Sequence, residues 1–86
     1  MNFYYTYVLL DKKRNFYIGY SQDLKKRFKE HTLGKVFATK SKLPIKLIYY
    51  ESCINKYDAL KREKYLKSGP GRKYLKNRLK NFLILK

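Results

Sequence analysis

The chain of 86 residues carries 22 basic and 6 acidic side chains, a formal net charge of +16, which calls for a polyanionic partner (DNA, RNA or an acidic membrane surface) and says nothing about fold. This length allows one small domain over residues 1–86 that buries roughly 60–65% of its unfolded surface, and ten tyrosines with five phenylalanines make the chain too apolar to be disordered. A single cysteine, Cys53, excludes an internal disulfide; zinc-ligand spacing, a secretory signal and an apolar run near the ~18 residues of a membrane span are all missing, so a soluble cytoplasmic protein is expected.

Phe3 to Leu10 is aromatic and β-branched and reads as a strand. Asp11-Lys12-Lys13-Arg14-Asn15 is a polar turn, and Phe16 to Tyr20 is a second strand, which predicts an antiparallel hairpin. A register symmetric about Lys12 sets Tyr7 directly opposite Tyr17 on one face, and a slip of one residue would separate them. Ser21 or Asp23 can cap a helix running to about Thr32. Its apolar stripe is Leu24 and Phe28, and Arg27 and His31 form a second stripe one turn apart.

Residues 35–44 read as a basic loop containing Lys35, Thr39, Lys40 and Lys42, closed by Leu43-Pro44. Ile45 to Glu51 alternates as a third strand. Asn55 or Asp58 opens a second helix that Ser68-Gly69-Pro70-Gly71 stops. A third helix is expected from about Arg72, with Leu75, Leu79 and Phe82 on its buried stripe. The tail Phe82–Leu85 is apolar but far too short to cross a bilayer. The order β-β-α-β-α-α predicts an α+β fold, a three-stranded antiparallel sheet with helices packed on it.

Glu63 is the sharpest chemical signal. From Lys61 to Lys80 the chain has nine basic residues and this one acid. Helical spacing places it on a stripe with Ala59 and Leu66, toward the sheet more than toward water. A carboxylate so placed can neutralise its lysine neighbours, but it is better explained as a ligand for a hard divalent cation such as Mg²⁺. Taken alone, Arg27 and His31 belong to a solvated basic face. Beside a carboxylate and two tyrosines they fit phosphodiester cleavage, where Arg opposes the charge building on phosphorus and His or Tyr moves protons. Tyr5, Tyr20, Tyr49 and Tyr50 read as packing or rim residues. Gly69-Pro70-Gly71 is not a phosphate-binding loop, because no strand precedes it and no Gly-Lys-Ser/Thr follows.

Taken in order, Tyr5-Thr6-Tyr7, Tyr17-Ile18-Gly19, the stretch Asp23 to His31, Leu43-Pro44 through Tyr49, and Ala59 to Lys64 resemble the GIY-YIG nuclease domain. The resemblance is to small stand-alone members related to the N-terminal nuclease domain of the bacterial excision-repair endonuclease. It implies a metal-dependent endonuclease that hydrolyses DNA phosphodiester bonds in repair or processing. It also implies that Tyr7 and Tyr17 line the site and that one of them helps to activate water. Gly19 would leave space beside the phosphate, Arg27 would steady it, and His31 would assist proton transfer or phosphate binding. Glu63 would be the sole protein ligand of one Mg²⁺ or Mn²⁺. Two positions depart from the family pattern. Tyr5 replaces the first glycine, and Tyr20 stands where the repair endonuclease has a lysine near the metal, so a hydrogen-bond donor or proton relay takes that place.

The substrate side is expected to comprise Gly19 and Tyr20, with Lys35, Thr39, Lys40, Lys42, Arg72 and Lys73 holding the backbone. So small a domain has little surface for reading sequence, so backbone or DNA structure is the expected target. The rival is a non-catalytic DNA- or RNA-binding protein, which the composition suits equally well. Glu63 separates the two, because a pure binder gains nothing from a carboxylate aimed into a basic groove. Attachment to a membrane is disfavoured, since the basic residues lie on several elements instead of one amphipathic helix. A homodimer or a protein partner would allow both strands to be cut.

Overall fold

The computed structural model describes residues 2–84, so Leu85 of the apolar tail lies outside the described residues. Its elements are β1 (Tyr4–Leu10), β2 (Phe16–Ser21), α1 (Leu24–Thr32), α2 (Phe37–Lys40), β3 (Lys46–Cys53), α3 (Lys56–Lys67), α4 (Gly69–Arg78) and α5 (Lys80–Leu83). The strands form one antiparallel sheet in the order β2-β1-β3, the α+β arrangement expected from the pattern.

Asp11 shapes the first hairpin. Its Oδ1 accepts the backbone N–H groups of Lys13 at 2.8 Å and Asn15 at 2.9 Å. Its own N–H meets the Asn15 carbonyl at 3.0 Å, and Arg14 adopts a left-handed φ of 66°. Side chains that mimic a backbone turn in this way set loop geometry. The loop is therefore centred on Lys13, and Tyr7 pairs with Gly19 while Leu9 pairs with Tyr17. This corrects the register centred on Lys12. A shift by an even number of residues keeps every side chain on its face, so Tyr7 and Tyr17 still share one, as diagonal neighbours.

Alternation along β1 divides the molecule. Thr6 and Val8 point to one face, where Val8 and Ile18 make a core with Leu66 of α3 and Leu75 of α4. Thr6 Oγ1 donates to the Ala59 carbonyl at 2.9 Å and ties α3 to the same face. Tyr7 and Tyr17 point to the other face, against His31 of α1. The sheet thus carries helices on both sides.

The helix boundaries follow from local chemistry. Asp23 caps α1 through the Lys26 N–H at 3.1 Å, and Asn55 caps α3 through Tyr57 and Asp58. Ser68 ends α3 and caps α4, whose first turn contains Pro70, a favoured place for proline. Gly69-Pro70-Gly71 therefore begins a helix as well as ending one, and α4 starts before the expected Arg72. A β-carbon on Gly71 would strike the Tyr65 carbonyl and the Leu66 backbone, so only glycine fits this corner. A break at Leu79 divides the expected last helix into α4 and α5. The 35–44 segment is not all loop: α2 forms within it, held by buried Val36 and Thr39.

A polar lock joins β3 to α3. Arg62 Nε and Nη2 donate to Glu51 Oε1 and Oε2 at 2.8 and 2.9 Å, and Tyr49 Oη donates to the same carboxylate at 2.9 Å. Burial alone would raise the Glu51 pKa. The guanidinium fork and the phenol more than offset it, so the carboxyl sits below its ordinary 4.5.

Candidate active site

His31 is the hub of the site face. The (i, i+4) spacing sets it one turn after Arg27, and it is fully buried. Its Nε2 lies 2.8 Å from Tyr7 Oη and its Nδ1 lies 2.7 Å from Thr39 Oγ1. The Tyr7 and Tyr17 rings meet it edge-on, with centroids at 5.7 and 5.2 Å. Burial, reinforced by the positive Arg27, lowers the His31 pKa from 6.5 against a smaller opposing pull from Glu30. The ring is neutral at pH 7.

Tyr7 is pushed up to about 12, first by burial and then by the nearby Tyr17 and Glu63, while the Arg27 guanidinium pulls the other way. Arg27 itself is held more firmly protonated by Tyr7 and by Glu30, whose Oε1 is 3.2 Å from Nη1. Its side chain remains 39% exposed, enough to reach an external anion.

Gly19 makes this geometry possible. It pairs with Tyr7, and a β-carbon there would run into the phenol ring and its hydroxyl. The space it leaves is filled by Tyr7, not kept for a phosphate, which corrects its expected place beside the substrate. Thr39 is corrected too. It is fully buried with its hydroxyl on His31, so it holds the imidazole and presents nothing to a substrate.

Glu63 points inward with its side chain 20% exposed, and Lys67 Nζ lies 3.1 Å from its Oε2. Its helix packs on the face opposite Tyr7 and His31. The helix that carries Glu63 thus lies on the other side of the sheet from His31, and the Glu63 charge still reaches Tyr7 as a field. No cluster of three or more His, Cys, Asp or Glu residues forms a metal cage among the described residues. A lone carboxylate still suits Mg²⁺, which typically takes one or two carboxylates and fills its octahedron with water and substrate phosphate.

Tyr20 stacks on Tyr4 with centroids at 6.5 Å. Its hydroxyl is buried and has no hydrogen-bond partner among the described residues. It lines a groove of about 340 Å³ beside Lys26, Arg27 and Glu30. Lys35, Lys40 and Lys42 are exposed around α2. Lys42 shares a notch with Lys12 and Lys13 of the hairpin turn, two cations that sequence reasoning missed because the turn's place beside α2 is a tertiary fact. Phe37, also passed over, projects from α2 with 92% exposure. Arg72 and Lys73 lie in the first turn of α4, in the helical layer that carries Glu63, so the structure does not group them with the α2 lysines. Among the described residues no helix is long and apolar enough to cross a membrane.

The family model for the GIY-YIG catalytic domain matches residues 3–81. The UPF0213 protein YsiG of Lactococcus lactis subsp. lactis is 40% identical over 85 residues, covering 98% of this chain and 82% of that protein. A UPF0213 protein of Staphylococcus saprophyticus is 36% identical over 77 residues, covering 88% and 94%. Among solved structures, the solution NMR structure of a UPF0213 protein from Bacillus halodurans matches with a TM-score of 0.54 at 29% identity, covering 85% of this chain and 81% of that one. With the family model spanning residues 3–81 and a relative of 40% identity over nearly the whole chain, the chain belongs to the GIY-YIG nuclease family and stands with its small UPF0213 members.

Proposed function

We propose that this protein is a metal-dependent endonuclease that hydrolyses DNA phosphodiester bonds in repair or processing, reading backbone or DNA structure more than sequence. The observation that carries the reading is the buried contact between the Tyr7 phenol and the neutral His31 imidazole, beside a guanidinium that remains exposed. Hydrolysis requires a proton acceptor for the attacking water. A phenol with a pKa near 12 is a poor free base at pH 7, but it can accept that proton while passing its own to His31 Nε2. Arg27 supplies permanent charge against the phosphorane. Tyr20 stands where the repair endonuclease carries a lysine, and its buried, unpartnered hydroxyl would donate to a phosphate oxygen only once the groove beside Arg27 opens to the substrate.

Glu63 would hold one Mg²⁺ or Mn²⁺ in place of Lys67. When bound, such an ion polarises the phosphate and stabilises the leaving oxygen. Lys12, Lys13, Lys35, Lys40 and Lys42 hold the DNA backbone, and binding should weaken steeply with salt. The Glu63–Lys67 pair favours one second reading, a non-catalytic nucleic-acid binder in which the carboxylate is simply neutralised.

Incubation with branched, nicked and single-stranded DNA and Mg²⁺ or Mn²⁺ tests the choice. The expected result is cleavage by wild type and none detectable by Glu63→Ala at equal DNA binding. Equal cleavage by both would sink the mechanism and point to a contaminant. Salt-sensitive binding without cleavage, indifferent to metal and to Glu63→Gln, would establish the binder.

A further inference from the structure

We propose that Phe37 is a stacking platform for an unpaired DNA base, through which α2 selects single-stranded or branched DNA over intact duplex. This role rests on the DNA-binding part of the proposed function and requires no catalysis. The segment around α2 inverts the usual order of a surface helix, in which the apolar stripe faces the core. Its inward residues are Val36 and Thr39, 8% and 0% exposed, while the much larger Phe37 stands 92% exposed. No other large apolar side chain among the described residues exceeds 74%.

The surroundings identify the occupant. Helical spacing sets Phe37, Lys40 and Ser41 on one face, and with Ala38 they line one depression. Ser41 also borders the notch that holds Lys12, Lys13 and Lys42, so the ring adjoins a continuous cationic surface. Asp11, the acid of that notch, turns its carboxylate to the N–H groups of Lys13 and Asn15. An aromatic face at the edge of a cationic track suits a single strand. The lysines follow the phosphates, and the ring takes a base of any sequence, because every base has a π-face.

In a duplex both faces of a base are already stacked, and opening a step costs free energy. An unpaired base has a face to offer. A second copy of this chain fits poorly, since a two-fold contact through Phe37 sets the same patch against itself and brings like-charged lysines together. Thr39 faces His31, and Phe37 lies about 200° from Thr39 around the helix. The ring therefore points away from His31 and addresses a nucleotide flanking the one held at the site.

The chain contains no tryptophan, so Phe37→Trp places a single indole on this face as a reporter. The probes, in EDTA at low salt, are a single-stranded oligodeoxynucleotide, an abasic strand of the same length, and a duplex. The first should quench the indole strongly and the other two should not. Anisotropy of labelled strands gives the affinities. Phe37→Ala and Phe37→Leu should bind the single strand about 5–100-fold more weakly, the scale of losing one base–aromatic stack. Both should bind duplex as wild type does, because the lysines remain. Lys40→Ala should weaken binding to single strand and duplex alike.

Equal single-strand affinity in wild type and Phe37→Ala would overturn the proposal. So would full affinity in Phe37→Leu, which keeps apolar surface but no ring face, or equal quenching by the abasic strand. Sedimentation showing a wild-type dimer and a monomeric Phe37→Ala would overturn it in favour of self-association. Binding to no DNA at all would overturn both this role and the proposed function. The expected quenching and affinities from a protein that cuts no strand in Mg²⁺ or Mn²⁺ would uphold Phe37 and overturn the endonuclease reading.

Discussion

Tyr7→Phe should lower the single-turnover rate of DNA cleavage by about 10²–10⁴-fold, the range that a positioned proton-transfer group contributes. The substitution removes one oxygen and keeps the ring that Gly19 accommodates. His31 Nε2, bonded to that oxygen at 2.8 Å, loses its partner inside a fully buried pocket. A stranded polar atom of this kind costs about 1–3 kcal/mol, so the variant melts earlier but folds. Tyr17→Phe is the control. Tyr17 touches His31 through its ring, and the ring survives, so the variant should keep most of its rate. Rates measured at saturating metal and DNA, with circular-dichroism melts of both proteins, make the comparison. A nearly normal rate for Tyr7→Phe together with a dead Tyr17→Phe would transfer the proton-accepting role to Tyr17.

Gly19→Ala should be the most damaging small substitution in the sheet. The added methyl occupies the position of the Tyr7 phenol, and neither side has slack. β2 is paired to β1 at this residue, and the phenol is held by His31. Overpacking of this kind costs about 1–3 kcal/mol, and in a domain of this size each kcal/mol lowers Tm by roughly 4–8 °C. Removing the obstacle should remove most of the penalty. In a Tyr7→Ala background, Gly19→Ala should cost far less than it does alone, a non-additivity characteristic of residues in contact. Thermal or urea unfolding of the four proteins reads it. Equal penalties in both backgrounds would mean that Gly19 serves backbone conformation and not the phenol.

Much of the fold is legible in the sequence because local rules agree with one another. Period-two runs mark the strands, Asp23 and Asn55 cap the helices as such residues do, and Leu66 and Leu75 sit where the apolar stripes place them. The failures share a cause, which is that each depends on a tertiary choice that local patterns do not encode. The hairpin register turned on which side chain collects the turn N–H groups, and Asp11 with a left-handed Arg14 shifted it by two residues. The stripe of Ala59, Glu63 and Leu66 correctly predicts that Glu63 faces the sheet. Helical periodicity cannot say which face of the sheet, and α3 chose the one opposite Tyr7. Thr39 reads as one polar residue in a basic loop, and only the folding of α2 onto His31 reveals its hydroxyl as the buried partner of the imidazole. Gly19 was recognisable as a site of close approach, but the approaching group is the protein's own phenol.

The proposed function has the Glu63 carboxylate exchange its lysine for a metal ion although its helix lies across the sheet from Tyr7 and His31. The direct test is anomalous diffraction from a crystal soaked in Mn²⁺. The account predicts one Mn²⁺ peak bonded to the Glu63 carboxylate, with Lys67 displaced from its 3.1 Å contact and no peak in an isomorphous Glu63→Ala crystal. A Glu63 still paired to Lys67, with manganese bound elsewhere on the chain, would contradict it.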